Sequence, residues 1–233
     1  IDENDVAVFS SNYQLYGDMS ERVMESLKIM APSLEIYSID EAFIRLKEIR
    51  ETDTFNKILN TKKKIFKWTG IPVSFGIAHT KTLSKIANQI AKKHTGAGVF
   101  DIRKESICDE IIKEMPVEDI WGISTNWGKR LRLIGVSTVF ELKKSNPGFI
   151  RKHLGVVLER IVYELNGISC LGLEGESPKK NIMSSKSFGK PIHDLFDIEE
   201  ALSSYTSRAC EKLRAQRSKC RGIYVFIKTN SFQ

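Results

Sequence analysis

The chain has 233 residues, 41% hydrophobic and 28% charged, a globular composition that excludes a disordered or fibrous protein and leaves room for one or two domains. No apolar run approaches the ~20 residues needed to span a bilayer, which excludes an integral helical membrane protein. The net charge of +7 favours a polyanionic partner.

Val6-Ala7-Val8-Phe9 opens the chain as a short strand-like run. Met19, Val23, Leu27 and Met30 recur at steps of four or three and predict a helix over 16–30, stopped by Pro32. Residues 35–38 and 42–46 read as two strands around a turn at Asp40-Glu41. A second helix is predicted over 55–68, with Ile58, Ile65 and Trp68 on its apolar side. A strand follows at 71–78, then a helix over 80–93 that Gly96 and Gly98 terminate, then a last strand at Val99-Phe100. Such alternation implies helices packed on a sheet.

From 101 to about 166 the strand signal disappears. Ile107, Ile111 and Ile112 mark a short helix closed by Pro116, and Gly122, Gly128, Gly135 and Gly148 punctuate further short helices. Val156, Leu158, Ile161, Val162 and Leu165 mark the last of them. Residues 167–182, rich in Gly, Ser, Pro and paired charges, read as a tether. A strand at 184–190, a helix over 198–217 and a strand at 223–228 follow, a βαβ-like piece too short to be a comfortable domain. The fold class expected is α+β. Cys108, Cys170, Cys210 and Cys220 show neither a CxxC pair nor zinc spacing, and fit free thiols of a reducing cytosol. No leader resembling a signal peptide is visible, and both ends read as cuts in a longer protein.

Three features bear on chemistry. In Tyr37-Ser38-Ile39-Asp40-Glu41-Ala42-Phe43 two adjacent acids sit where one strand turns into the next. Such a pair can hold divalent cations for phosphoryl transfer, although alone it is more often a solvated turn. The helix over 80–93 places Leu83, Ile86, Ala87 and Ile90 on its core face and Lys81, Lys85, Asn88 and Lys92 on the opposite face. That face offers amines to an anion, or is simply a wet side. Ile120-Trp121-Gly122-Ile123-Ser124 joins two short helices by a tight apolar hairpin whose backbone N–H groups can grip a phosphate without reading sequence. Seven cations (Lys129, Arg130, Arg132, Lys143, Lys144, Arg151 and Lys152) face only Glu141 across 129–152, a local excess suited to phosphates. The four histidines are scattered singly. Trp68, Trp121 and Trp127 read as packing residues, and Lys62-Lys63-Lys64 as a solvated helix face.

In order, the 37–43 motif, Val73-Ser74-Phe75-Gly76-Ile77-Ala78 leading into Thr80-Lys81-Thr82-Leu83-Ser84-Lys85-Ile86-Ala87-Asn88, and Val117-Glu118-Asp119-Ile120-Trp121-Gly122-Ile123 resemble the Y-family translesion DNA polymerases, in their UmuC branch. Phe9-Ser10-Ser11-Asn12-Tyr13, Phe149-Ile150-Arg151-Lys152-His153, Val157-Leu158-Glu159-Arg160, Ser185-Lys186-Ser187-Phe188-Gly189 and Phe226-Ile227-Lys228-Thr229 extend the resemblance over nearly the whole chain.

The resemblance implies a palm at 1–100, a helix-hairpin-helix thumb at 101–173, a linker at 174–182 and the start of a little finger at 183–233. It implies that Asp40 and Glu41 are catalytic and hold Mg²⁺, and that Lys85 and Lys81 meet the incoming dNTP. Gly122, Ile123, Ser124, Lys129, Arg130 and Lys186 would bind primer-template DNA. The activity implied is error-prone, template-directed synthesis across damage in the SOS response, in the cytoplasm. A UmuD dimer, RecA and the sliding clamp would be partners of the full-length protein.

The family's remaining metal-binding Asp and the aromatic residue that rejects ribonucleotides belong to a first palm strand absent from this sequence; none of Asp2, Asp5 and Asp18 lies in a matching motif. These 233 residues alone are therefore expected to be inactive. Ser124 stands where the hairpin pattern has its second glycine, which a serine can replace only if that position does not need φ > 0. Two other classes fit part of the pattern: a non-enzymatic helix-hairpin-helix DNA-binding protein, and a palm-type nucleotide cyclase.

Overall fold

A computed structural model of the chain describes residues 7, 9, 11–31, 33–46, 51–175 and 180–228. The expected strand at 6–9 and the helix stop at Pro32 lie wholly or partly outside the described residues, as do the middle of the tether and the residues after 228. The chain forms two compact units, divided after Gly175.

In the first unit, α1 (Tyr13–Met30) begins where the Asn12 side chain accepts the Leu15 N–H. Strands β1 (Leu34–Ile36) and β2 (Ala42–Ile44) pair antiparallel, with Glu35 opposite Phe43. Helix α2 (Glu51–Thr69) follows, then β3 (Phe75–Ile77), α3 (Lys81–His94) and β4 (Val99–Asp101), which runs parallel to β3. The alternation expected from the sequence is present, but the strands are shorter and form two separate pairs among the described residues. Residues 71–74, expected to start a longer strand, have no ladder partner; Ile71 and Val73 instead pack beside Val23, Met24, Leu27 and Ile65 of α1 and α2.

One contact sets the position of α3. A Cβ at Gly76 would lie 2.2 Å from both the Asn88 backbone nitrogen and the Ser84 carbonyl oxygen. Strand and helix therefore touch backbone to backbone, which only glycine permits. Alongside, the Ser74 hydroxyl donates to the Asn88 side-chain oxygen at 2.8 Å.

The helical segment contains α4 (Glu105–Ile112), α5 (Thr125–Leu133), α6 (Val139–Lys144), α7 (Pro147–Leu154) and α8 (Val156–Leu165). Its core includes Ile112, Val117, Leu131, Leu142, Ile150, Leu158 and Val162. Leu83, Ile86 and Ala87 of α3 belong to the same cluster, so α3 contributes its apolar face to the helical core while its other side meets β3. Thr138 and Glu141 cap α6 reciprocally, and Asn146 caps α7, whose first helical residue is Pro147.

Glu164 on α8 is fully buried. One carboxylate oxygen accepts the Thr82 N–H at 3.1 Å in the first turn of α3. The other accepts the N–H groups of Cys170 and Leu171 at 2.7 and 3.2 Å. The buried Thr80 hydroxyl donates to the Glu164 carbonyl at 2.9 Å. Further on, the Glu174 N–H donates to Glu35 at 2.7 Å. The beginning of the expected tether is thus a docked strap, because two carboxylates satisfy its backbone donors.

The second unit contains α9 (Leu195–Ala215), started by the Asp194 side chain accepting the Phe196 N–H, with no buried residue along the helix. Lys212 donates to the Met183 carbonyl at 3.2 Å. The strands expected at 184–190 and 223–228 are not formed, which corrects the βαβ reading of this segment. A strand needs a ladder partner, and neither segment has one among the described residues. Ile223, Tyr224, Val225, Phe226 and Ile227 are all exposed. No helix of the described residues is long and apolar enough to cross a membrane, and the four cysteines are unpaired.

Candidate functional site

The β1–β2 turn is closed by its own backbone: the N–H groups of Tyr37 and Ser38 both donate to the Glu41 carbonyl, at 3.0 and 3.1 Å. The Ser38 hydroxyl donates to the Asp40 carboxylate at 2.7 Å. The Ser20 hydroxyl of α1 donates to the Ile39 carbonyl, which ties the turn to that helix.

Helix α3 runs beneath this hairpin. The Lys85 ammonium lies 2.5 Å from the Glu41 carboxylate, and Lys81 lies 2.5 Å from Glu35. The second pair is nearly buried, with each side chain about 10% exposed. Of the face expected to present Lys81, Lys85, Asn88 and Lys92 outward, the first three are docked and each has a partner, whereas Lys92 is exposed. Its lysines also lie against aromatic rings. Lys85 is 5.4 Å from the Tyr37 ring centroid and 5.9 Å from that of Trp121, and Lys81 is 5.0 Å from that of Phe43.

Two hard carboxylates at one turn suit a divalent cation in donor chemistry, but the set is short. Glu41 already holds an ammonium, and no group of three His, Cys, Asp or Glu residues able to hold a metal occurs among the described residues. Asp101, the acid at the end of β4, is engaged by Arg103, with contacts of 2.6 to 3.1 Å. Burial alone would raise the Asp101 carboxyl, but the Arg103 hydrogen bonds and charge hold it below its ordinary range.

In the hairpin at 122–124, Gly122 has φ +90°, whereas Ser124 has φ −78° and ψ 164°. The first position needs glycine and the second does not. Ser124 instead caps α5, its hydroxyl accepting the Trp127 N–H at 3.4 Å. Ile123 is buried and its N–H is donated to the Ile120 carbonyl at 3.1 Å, so its side chain anchors the turn and does not face a ligand. The first two amides of α5, at Thr125 and Asn126, start the helix with no intrahelical acceptor. Lys129 and Arg130 are exposed on the same helix, Arg130 over the Trp127 ring.

The cation cluster at 129–152 is partly spent on structure. Lys143 is buried and pairs with Asp109 at 2.5 Å and with Glu105 at 3.6 Å. Arg132 pairs with Glu118 at 2.5 Å and Arg151 with Glu159 at 3.2 Å. Acids outside 129–152 thus take up three of the seven cations; Lys129, Arg130, Lys144 and Lys152 are exposed and carry no carboxylate contact among those described. Lys186, in the second unit, is exposed in a shallow depression that Asp197, Glu200 and Arg208 also line.

Sequence reasoning missed Glu35, Glu164 and the role of Trp121. Glu35 and Glu164 are single acids without a motif. Trp121 reads as a packing residue from its spacing, but its indole N–H donates to the Tyr37 hydroxyl at 2.9 Å.

The fold is that of Y-family DNA polymerases. A chimeric Y-family DNA polymerase built from Dbh and Dpo4 matches at a TM-score of 0.66 and 24% identity, over 86% of this chain and 58% of that one. A DinB-family error-prone DNA polymerase from Sulfolobus solfataricus matches at 0.62 and 22% identity, over 88% and 62%. Models of the impB/mucB/samB family and of its C-terminal domain match residues 2–89 and 179–233. The chain belongs to the impB/mucB/samB family of Y-family polymerases. It is 44% identical to Protein UmuC of Salmonella typhimurium and 38% identical to Protein MucB of Escherichia coli, over 97% and 100% of this chain. DNA polymerase IV of Lactococcus lactis is 27% identical over 95% of it. The chain spans about half the length of the curated relatives it matches, 55% of UmuC and 56% of MucB.

Proposed function

We propose that the chain is part of an error-prone DNA polymerase that copies damaged template, with its palm at 1–100, thumb at 101–173, linker at 174–182 and the start of its little finger at 183–233. The observation that carries this reading is the 2.5 Å contact between Lys85 and Glu41, which joins the amine of one helix to the acidic turn of the next-door hairpin. An acid and a cation so close suit a nucleotide's polyphosphate tail and its counter-ions.

The reaction is nucleotidyl transfer: the primer 3′-hydroxyl attacks the α-phosphate of a dNTP, the new P–O bond forms as the bond from the α-phosphorus to the bridging oxygen breaks, pyrophosphate leaves and the hydroxyl proton passes to water. Asp40 and Glu41 would hold Mg²⁺, whose charge lowers the pKa of the attacking hydroxyl and neutralises the leaving pyrophosphate. Lys85 and Lys81 bind the triphosphate by exchanging their present carboxylate partners for phosphate oxygens. The hairpin positions Gly122 and Ser124, which the buried Ile123 anchors, together with the first amides of α5 and the Lys129 and Arg130 side chains, hold the DNA backbone. Lys186 adds a contact from the little finger. Synthesis across damage in the SOS response, a cytoplasmic location, and a UmuD dimer, RecA and the sliding clamp as partners of the longer protein rest on the family alone.

The test uses the longer protein. Asp40→Ala or Glu41→Ala should abolish primer extension while duplex binding survives; unchanged extension rates would overturn the assignment. These 233 residues alone should extend a primer little or not at all with Mg²⁺, because two carboxylates hold the ion poorly. The non-enzymatic DNA-binding reading returns if neither substitution changes divalent-ion binding.

A further inference from the structure

Trp121 and Tyr37 lie 84 residues apart in sequence, yet they form the hydrogen bond that joins the DNA-holding hairpin to the acidic turn. Their ring centroids are 5.3 Å apart, with planes at 87°. Phe43 completes the cluster, its centroid 5.8 Å from each of the other two. Each ring sits beside a working part. Tyr37 donates its N–H to Glu41, Phe43 follows the acidic pair by two residues, and Trp121 directly precedes Gly122.

Edge-to-face aromatic pairs have preferred geometry, and the N–H···O bond fixes which edge meets which ring. Gly122, at φ +90°, has no side chain of its own to hold the turn. Its neighbour Trp121 supplies one. Ile123, on the other side of Gly122, fixes the turn to the helical core, while Trp121 fixes it to the palm hairpin.

We infer that Trp121 is a positioning residue: through Tyr37 it holds the hairpin's phosphate-facing amides in register with the Asp40-Glu41 turn. Resting on the polymerase reading, this adds a residue that touches neither nucleotide nor phosphate in that reading.

The test measures binding of a fluorescent primer-template duplex to the 233-residue chain, by anisotropy over a salt series. Trp121→Phe and Tyr37→Phe each remove one partner of the hydrogen bond and keep a ring. Each should weaken duplex binding roughly three- to tenfold, the range of one net hydrogen bond, and the double variant no further than either single. The slope of log affinity against log salt should flatten with them, as phosphate contacts fall out of register. A residue that only supports the fold would lower the melting temperature and leave that slope unchanged. Trp121→Ala, with the rings separated, should flatten it most.

Tyr37→Phe with wild-type affinity and slope would overturn the inference, as would additive effects in the double variant. In both cases duplex binding by the unaltered chain leaves the polymerase reading intact. Failure of the unaltered chain to bind duplex at all would overturn that reading, and the inference with it.

Discussion

Helix α3 and the segment 129–152 both look like cation-rich surfaces, but the fold treats their charges differently. On α3 both Lys81 and Lys85 meet a carboxylate of the β1–β2 hairpin, so those two lysines are sealed by partners, while Lys92 further along the helix is exposed. In the helical segment the charges divide. Lys143 is buried in its ion pairs, Arg132 and Arg151 are paired but keep an exposed side, and Lys129 and Arg130 are exposed on α5 beside the hairpin. A sealed lysine must give up a partner to bind phosphate, whereas an exposed one gives up only water and counterions. Under the proposed function, the first arrangement would serve a selective nucleotide site and the second a sequence-indifferent grip on DNA.

The comparison depends on α3 being held where it is, and the largest expected effect breaks that hold. Gly76→Ala drives a methyl into the backbone of Ser84 and Asn88, and should cost on the order of 3 kcal/mol, read as a fall in melting temperature. Next is Glu164→Ala, which strands the N–H groups of Thr82, Cys170 and Leu171. It should cost about 2–3 kcal/mol in chemical denaturation.

Lys143→Met tests whether that cation is structural. It should cost about 1–2 kcal/mol and leave duplex affinity unchanged. Burial alone would lower the Lys143 amine, but the Asp109 hydrogen bond and charge outweigh it and raise its pKa. A raised folded-state pKa contributes stability that is fully present below the unfolded value, near 10.4, and is lost as pH climbs through the folded one. Wild type should lose this increment only in strongly alkaline buffer, and Lys143→Met should lack that step. The smallest effect sharpens the exposed half of the comparison. Lys129→Glu with Arg130→Glu should weaken duplex binding about tenfold, near 1.4 kcal/mol, with little change in melting temperature. Binding that ignores ionic strength would contradict the phosphate-facing role.

Periodicity locates α1, α2, α3 and α8 to within a few residues, since a helix writes its buried face into a short window of sequence. The acidic turn, the α3 lysines and the hairpin were legible because residue type and spacing limit the chemistry they can perform. The requirement at Ser124 was not, because a backbone dihedral is set by the packing around the turn.

The sequence by itself determined the family, the helices and which side chains carry charge at the site. The tertiary structure alone decided partners: Lys81 with Glu35, Lys85 with Glu41, Lys143 with Asp109, Trp121 with Tyr37, and Glu164 with Thr82 of α3. It also decided that residues 223–228 are not a strand, since that depends on a neighbour to pair with. The physical reason is common to all of these. Hydrogen bonds, ion pairs and ladders depend on distances through space, and a local pattern of residues does not contain the distance between segments 40 or 80 positions apart.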